Sequence, residues 1–349
     1  MRLCRYRLGA LTLFLPFSSI FTATARRSQF DKMSGMSKRF PLYRCLLALF
    51  CLLPALPAAN AANNSAEDDS ITVYLTVDWE GWSLDEENLQ AMRDFRARHP
   101  RIPMLHLLNP VYYLRPGADT QAITALIRST LLPIDTVGLH LHGWKTLLLA
   151  CQLPYRTTPS FADTDETCPG KECGYTVSLE FAYSAAELEA LVACSSDLLA
   201  EQGFNRPSHF RAGGWQLGPK LASALKQNGF NWDSSRLDAD LLLPKWTEDS
   251  GLVQLVRQLH ADASIFDQPR QLLPGLVQFP NNAGLMDYTS TEQLLSIFRQ
   301  LLDAKKPVMV TGFHQETAFV YLDNLEDAIR GMQTMAAERG VHLEWGRYD

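Results

Sequence analysis

Short apolar runs alternate with amphipathic segments of helical period along most of this 349-residue chain. Runs of this kind, nearly continuous in apolar residues and bounded by turn residues, suit strands that are buried on both faces of a parallel sheet. They lie at 71–77, 103–108, 136–141, 208–211, 277–280 and 308–313. Repeated alternation of strand and helix predicts an α/β fold, with a parallel sheet that is closed as a barrel or left open.

Helix starts are predicted from capping patterns. A hydroxyl residue followed three positions later by Glu, directly before an amphipathic run, is typical of a capping box. It occurs at Ser83-x-x-Glu86, Ser184-x-x-Glu187 and Thr289-x-x-Glu292. Asp323-x-x-Glu326 predicts the start of a further helix.

The first 61 residues carry two candidate secretion signals. In the stronger one, which begins at Met36, basic residues precede the apolar run 45–53 and the small-residue site Ala59-Asn60-Ala61. This order is typical of a signal peptide, and the run is shorter than the roughly 20 residues of a spanning helix. We expect residues 1–61 to be a leader whose true start is Met33 or Met36, and 62–70 to be a polar linker. The mature chain would be secreted or periplasmic, with no stable membrane span; an uncleaved anchor is the alternative.

The mature chain keeps four of the seven cysteines: Cys151, Cys168, Cys173 and Cys194. An even number in an exported protein favours disulfides over a zinc site. Of the three possible pairings we favour Cys168–Cys173 with Cys151–Cys194. The stretch at about 145–183 lacks sustained periodicity, and we interpret it as a disulfide-pinned insertion, within a domain spanning 71–349, that shapes the entrance to a site. The net charge of −6 and the scattered basic residues argue against a nucleic-acid partner.

Polar residues follow five strand-like segments at the point where each ends. In a β/α barrel these ends share one face, where active sites are built. The residues are Asp78 and Glu80, His140 and His142, Arg211, Asp233, and His314. Two histidines at i and i+2 of an extended segment point to the same side. With one carboxylate they could bind a divalent metal and leave positions open for water.

These segments resemble, in order, the motifs of the polysaccharide deacetylases with a NodB homology domain, a carbohydrate esterase family 4-like group. The matching stretches are Thr76–Glu80, Gly138–His142, Phe210–Trp215, Trp232–Ser235 and Thr311–His314, within a resemblance that spans 71–345. The resemblance implies a distorted (β/α) barrel of roughly seven parallel strands. It also implies metal-dependent hydrolysis of an N-acetyl group.

Several positions depart from the family pattern. The acids are Asp78 and Glu80 rather than two adjacent aspartates, and the histidines are two apart rather than four. Trp144 stands where the second histidine is usual, and Gly213 where proline is common. We interpret the chain as a divergent branch with Asp-x-Glu and His-x-His motifs.

The resemblance and the residue types together suggest a role for each side chain. Glu80, His140 and His142 would hold the metal, with Asp78 as general base and His314 as general acid. Arg211 would orient Asp78 and keep it ionised, and Asp233 would orient His314. Trp82, Trp144 and Trp215 would stack on sugar rings. The metal ligand could instead be Asp78, His314 could be a core residue, and the tryptophans could serve only in packing.

The function expected from these assignments is exported, metal-dependent removal of N-acetyl groups from a polysaccharide or peptidoglycan-type glycan. Zinc is favoured by two histidines and a carboxylate, although Co²⁺, Ni²⁺ or Mn²⁺ could substitute. Two alternatives stay open: hydrolysis of a small linear or cyclic amide on the same barrel, and carbohydrate binding without catalysis.

Overall fold

The computed structural model describes residues 69–162 and 173–348. The leader, most of the predicted linker and Cys168 lie outside these residues. The strands are β1 (Ser70–Asp78), β2 (Met104–Leu108), β3 (Thr136–Leu141), β4 (His209–Ala212), β5 (Trp232–Asp233), β6 (Arg270–Leu273), β7 (Leu276–Gln278), β8 (Val308–His314) and β9 (His342–Trp345). The helices are α1 (Glu86–Arg98), α2 (Thr120–Arg128), α3 (Lys145–Ala150), α4 (Leu179–Ala182), α5 (Ala185–Glu201), α6 (Pro219–Gln227), α7 (Gly251–Leu259), α8 (Thr291–Asp303) and α9 (Ala318–Arg339). None of these helices is long and apolar enough to cross a membrane.

The strands form one curled, mostly parallel sheet, as the alternation predicts. Its order is β6-β7-β5-β4-β3-β2-β1-β8, with β9 beside β1, and only the β6–β7 pair is antiparallel. Residues after β7 reach back to β8, where Ala283 donates to Val310 O and Met286 to Gly312 O. The sheet is therefore a distorted barrel whose last side is made by irregular backbone.

Strand register brings the polar strand ends together. β1 pairs with β8 so that Asp78 lies opposite His314, and β3 pairs with β4 so that His140 lies opposite Arg211. Asp78 and His314, which are 236 positions apart in the sequence, are thus neighbours across one strand pair. Parallel pairing therefore places Asp78 and His314 side by side at the same edge of the sheet.

A helix is present at each of the four predicted places, but the predicted cap or start is confirmed in one case and wrong in three. Ser184 and Glu187 form the predicted capping box of α5. The box of α8 lies one residue later than predicted, at Ser290 and Gln293. The other two differ because Ser83 Oγ donates to Asp85 instead of capping α1, and because Asp323 lies inside α9, which begins at Ala318.

The insertion after β3 carries short helices in its described part. It begins with α3, passes through a 3₁₀ turn at Cys173–Thr176 and ends in α4. Cys151 at the end of α3 forms a disulfide with Cys194 in α5, which confirms the favoured pairing of these two cysteines. The Cys168–Cys173 link falls outside the described residues.

Candidate active site

A cavity of about 530 Å³ opens at the C-terminal ends of β1, β3, β4 and β8. It is lined by seven of the residues predicted from sequence: Asp78, Glu80, Trp82, His140, His142, Trp215 and His314. The insertion contributes Phe161 and Tyr175 to the wall, as expected of a segment that shapes the entrance. Polar residues from separate strands therefore converge on one concave site.

The two histidines at the C-terminal end of β3, His140 within the strand and His142 just after it, present the same nitrogen to this cavity. His140 Nδ1 lies 2.9 Å from the carbonyl oxygen of Arg211, and His142 Nδ1 lies 2.8 Å from that of Tyr175. A carbonyl only accepts, so each Nδ1 carries the proton and donates it. In the neutral rings both Nε2 atoms consequently keep a free lone pair, which is the arrangement that metal-binding histidines use.

Glu80 lies between these rings. Its Oε1 is 3.2 Å from His140 Nε2, and its Oε2 is 2.6 Å from His142 Nε2. Burial alone would raise the pKa of Glu80, but the two imidazoles outweigh it and hold that pKa well below its usual range. Glu80 is therefore an anion that two imidazole nitrogens face.

The residues present fit a divalent metal. Ligand atoms of Glu80, His140 and His142 all lie within 4.8 Å of one another, and all three residues are buried. His142 Nε2 is buried, and apart from its 2.6 Å approach to Glu80 Oε2 it has no hydrogen-bonding partner among the described residues, so its lone pair is available to a metal. A second group of the same size consists of Asp78, Glu80 and His314. Two imidazoles and a carboxylate are a donor set that zinc accepts.

Asp78 is held by Arg211, as predicted. The guanidinium is fully buried, and its Nη1 donates to Asp78 Oδ1 and to Thr76 Oγ1, both at 2.8 Å. Its Nε and Nη2 donate to Ser234, at 2.9 and 2.8 Å. Arg211 does not line the cavity but lies behind Asp78, and with four hydrogen bonds it fixes the direction of that carboxylate.

His314 is paired with Asp287, and the expectation that Asp233 orients it is wrong. His314 Nδ1 lies 3.1 Å from Asp287 Oδ2, and its Nε2 lies 3.1 Å from Glu80 Oε1. Asp233 instead accepts from Ser235 and Gln278. Burial lowers the pKa of His314, but the carboxylates of Asp287 and Glu80 raise it well above its usual range. The two carboxylates therefore favour the protonated form of His314.

The three tryptophans occupy different positions. Trp82 is 39% exposed at the mouth of the cavity, and Trp215 lines its wall while only 4% exposed. Trp144 is 3% exposed and does not line the cavity; its Nε1 donates to Glu80 O at 2.9 Å. The structure thus gives Trp144 a packing position against the β1 end rather than the predicted sugar-stacking position.

Sequence reasoning missed Glu316, whose carboxylate also lines the cavity. It accepts hydrogen bonds from the backbone N–H groups of Glu80, Gly81 and Trp82 and from the Tyr112 hydroxyl. Burial, together with the charge of Glu80, raises the pKa of Glu316 to about 7. Its position two residues after His314, beyond a strand end, was the signal that could have found it.

Gly213, which stands where proline is common in the family motif, leaves space for the His142 ring. A Cβ built on Gly213 would lie 2.5 Å from His142 Nε2 and 2.6 Å from its Nδ1. The imidazole therefore fills the space that a proline or alanine at position 213 would need. In this arrangement the His142 ring and a side chain at position 213 therefore exclude each other.

Comparisons with known proteins find similar structures but no match in sequence. No protein-family model and no curated protein matches the sequence. In structure, the chain is similar to the polysaccharide deacetylases of carbohydrate esterase family 4. A protein from Mycobacterium smegmatis that has been assigned as a polysaccharide deacetylase is 12% identical to this chain, with a TM-score of 0.46. The match covers 85% of this chain and 92% of that one. A family 4 carbohydrate esterase from Streptomyces lividans, in complex with acetate, is 13% identical with a TM-score of 0.39, over 81% and 94%. A family 4 pseudoenzyme from Bacillus anthracis is 10% identical with a TM-score of 0.38, over 79% and 64%.

Proposed function

We propose that this chain is a metal-dependent hydrolase that removes N-acetyl groups from a polysaccharide or peptidoglycan-type glycan. One observation carries the proposal: the cluster of Glu80, His140 and His142 shares its cavity with a further carboxylate and a further imidazole. These are Asp78, fixed by Arg211, and His314, paired with Asp287. Amide hydrolysis needs an activated water, a base and an acid, and this arrangement supplies groups for each.

Glu80, His140 and His142 would hold the metal, with zinc favoured by the donor set. When bound, a divalent cation supplies Lewis-acid activation of a water molecule and of the amide carbonyl. Asp78 would accept the proton of the attacking water, because Arg211 holds it as a directed carboxylate. His314 would donate a proton to the departing nitrogen, and its raised pKa keeps that proton available at neutral pH.

The glycan substrate is proposed from the motif resemblance and from the aromatic walls. Trp82 at the mouth and Trp215 on the wall offer faces on which sugar rings can stack. The leader sequence supports an exported protein, secreted or periplasmic, which would meet envelope or extracellular glycans there. Proteolytic release after Ala61 can be checked by mass spectrometry of the mature N-terminus.

The test measures metal and acetate on the same preparations. We expect one zinc per chain and acetate release from chitooligosaccharides or peptidoglycan fragments that stops with a chelator and returns with metal. His140→Ala should lose both, because no other side chain can replace the ligand. His342→Ala, which changes an exposed histidine remote from the cavity, is the control and should retain both. Full turnover by metal-free protein, or by His140→Ala, would contradict the proposal.

A small-amide substrate is the second candidate. The cavity wall away from the ligands is mainly apolar, with Phe161, Trp246, Leu252 and Tyr288 among its residues. Apolar walls with few polar groups suit a compact ligand as well as a sugar. Turnover of small linear or cyclic amides without acetate release from glycans would favour this candidate. Glycan binding without any turnover would instead indicate a non-catalytic carbohydrate-binding protein.

A further inference from the structure

We propose that Tyr175 is a positioning residue that completes the metal site from the insertion. It would hold Glu80 and His142 in the arrangement that binds metal, so that the insertion is needed for metal affinity as well as for the entrance. This inference rests on the proposed metal-dependent function. It concerns a residue that the strand-end pattern does not include.

Three separate contacts join Tyr175 to two of the candidate ligands. Its hydroxyl donates to Glu80 Oε2 at 2.6 Å, and its carbonyl oxygen accepts from His142 Nδ1 at 2.8 Å. Its ring stacks on the His142 imidazole, with centroids 4.2 Å apart and planes 17° apart. One residue thus sets the rotation of the His142 ring, the tautomer of that ring and the direction of the Glu80 carboxylate.

The hydroxyl contact fits a ligand-orienting role. Glu80 has two oxygens, and a carboxylate that binds a metal through one commonly accepts a hydrogen bond on the other. The Tyr175 hydroxyl lies 2.6 Å from Glu80 Oε2, and because a carboxylate oxygen accepts, the hydroxyl is the donor. The contact therefore costs Glu80 none of its charge.

Tyr175 is delivered to the site by a close backbone contact. It lies in the 3₁₀ turn Cys173–Thr176, where Gly174 packs against Gly143, the residue after His142. A Cβ on Gly174 would collide with the carbonyl oxygen of Gly143, so only glycine permits this approach. The Tyr155 hydroxyl accepts from Gly174 N at 2.8 Å and anchors the turn. The turn therefore places Tyr175, the residue after Gly174, against the His142 ring.

The experiment compares Tyr175→Phe with Tyr183→Phe in the purified full-length mature protein. Phenylalanine at 175 keeps the ring stack and the backbone carbonyl but removes the donor to Glu80. Tyr183 belongs to the same insertion, and its hydroxyl accepts from Arg156 N, away from the ligands. Zinc affinity, measured by competition with a chromophoric chelator, should fall about 10- to 100-fold in Tyr175→Phe and stay at the wild-type value in Tyr183→Phe.

Two further readouts separate positioning from loss of structure. The thermal midpoint of the metal-free Tyr175→Phe protein should match that of the wild type, while the visible spectrum of the Co²⁺-loaded protein should change with the ligand geometry. Wild-type zinc affinity in Tyr175→Phe, or an equal loss in Tyr183→Phe, would overturn the role of Tyr175. A wild-type protein that binds no metal would instead overturn the proposed function, so the two failures are distinguishable.

Discussion

Gly213→Ala tests whether the altered motifs form one structural unit. Gly213 precedes a sharp turn, but its own backbone is not in the left-handed region, so alanine introduces no conformational strain there. What alanine does introduce is a methyl group in space that the His142 imidazole occupies. The substitution therefore tests the position of the candidate ligand His142 by steric pressure, without changing any of the candidate ligands themselves.

The size of the displacement follows from the distances. The added Cβ would lie 2.5–2.6 Å from two ring nitrogens of His142, whereas carbon contacts are comfortable at roughly 3.5 Å or more. The ring must therefore move by about 1 Å, against a tolerance of about 0.2 Å in metal–ligand distances. The ring cannot rotate freely, because Tyr175 stacks on one face and accepts from Nδ1. We expect loss of zinc affinity together with an overpacking cost of about 1–3 kcal/mol.

The assay is a double-mutant cycle with His142→Ala. Zinc affinity is measured by chelator competition, and the free energy of unfolding of the metal-free proteins by urea titration. In the His142→Ala background the clash is absent, so adding Gly213→Ala should leave the free energy of unfolding nearly unchanged. The reasoning would be refuted if Gly213→Ala bound zinc as the wild type does. It would also be refuted if its cost were the same in both backgrounds.

Two further predictions concern buried carboxylates. Asp78→Asn should abolish turnover and keep most of the zinc affinity, whereas Glu80→Gln should lose zinc affinity. Zinc binding by both variants can be measured by calorimetry. The reverse pattern would show that Asp78 is the metal ligand and Glu80 the general base. Asp135→Asn should lower the free energy of unfolding by about 3–5 kcal/mol, because it leaves the buried Arg96 guanidinium unpaired. Asp197→Asn, in an exposed pair, should cost under about 1 kcal/mol. Burial raises the pKa of Asp135, but its hydrogen-bonding partners lower it overall. The stability from this group is therefore present above about pH 4 and lost as the pH falls further, so urea titrations of wild type and Asp135→Asn should converge in acid.

The strands and the strand-end residues could be predicted because both depend on local pattern. β1 and β8 are apolar runs that end in Asp78 and His314, and parallel pairing is enough to bring such ends together. The predicted cap of α8 is wrong by one residue, Thr289 instead of Ser290, and this error also has a local cause. Neighbouring hydroxyl residues offer equivalent caps, and the helix takes the one that its packing selects.

Asp287 could not be predicted from local sequence pattern, because its role comes only from its tertiary contact with His314. It follows residues 282–286, which have no strand period of their own and reach β8 through irregular hydrogen bonds. Asp233, the sequence candidate, sits at a real strand end, but Ser235 two residues later and Gln278 on β7 occupy its oxygens. A strand end places a side chain near a site, while its neighbours decide whether it faces that site.

The departures from the family motif compensate one another around His142. The His142 ring lies where a side chain at 213 would lie, and glycine leaves that space free. The ring also needs an acceptor for Nδ1–H, which the insertion supplies as the carbonyl oxygen of Tyr175. Trp144 donates to Glu80 O and fixes the backbone of the candidate carboxylate ligand. If the chain had only lost a metal ligand, nothing would maintain together the free space at Gly213, the acceptor for His142 Nδ1–H and the donor to Glu80 O. We therefore propose a relocated metal site rather than an abandoned one.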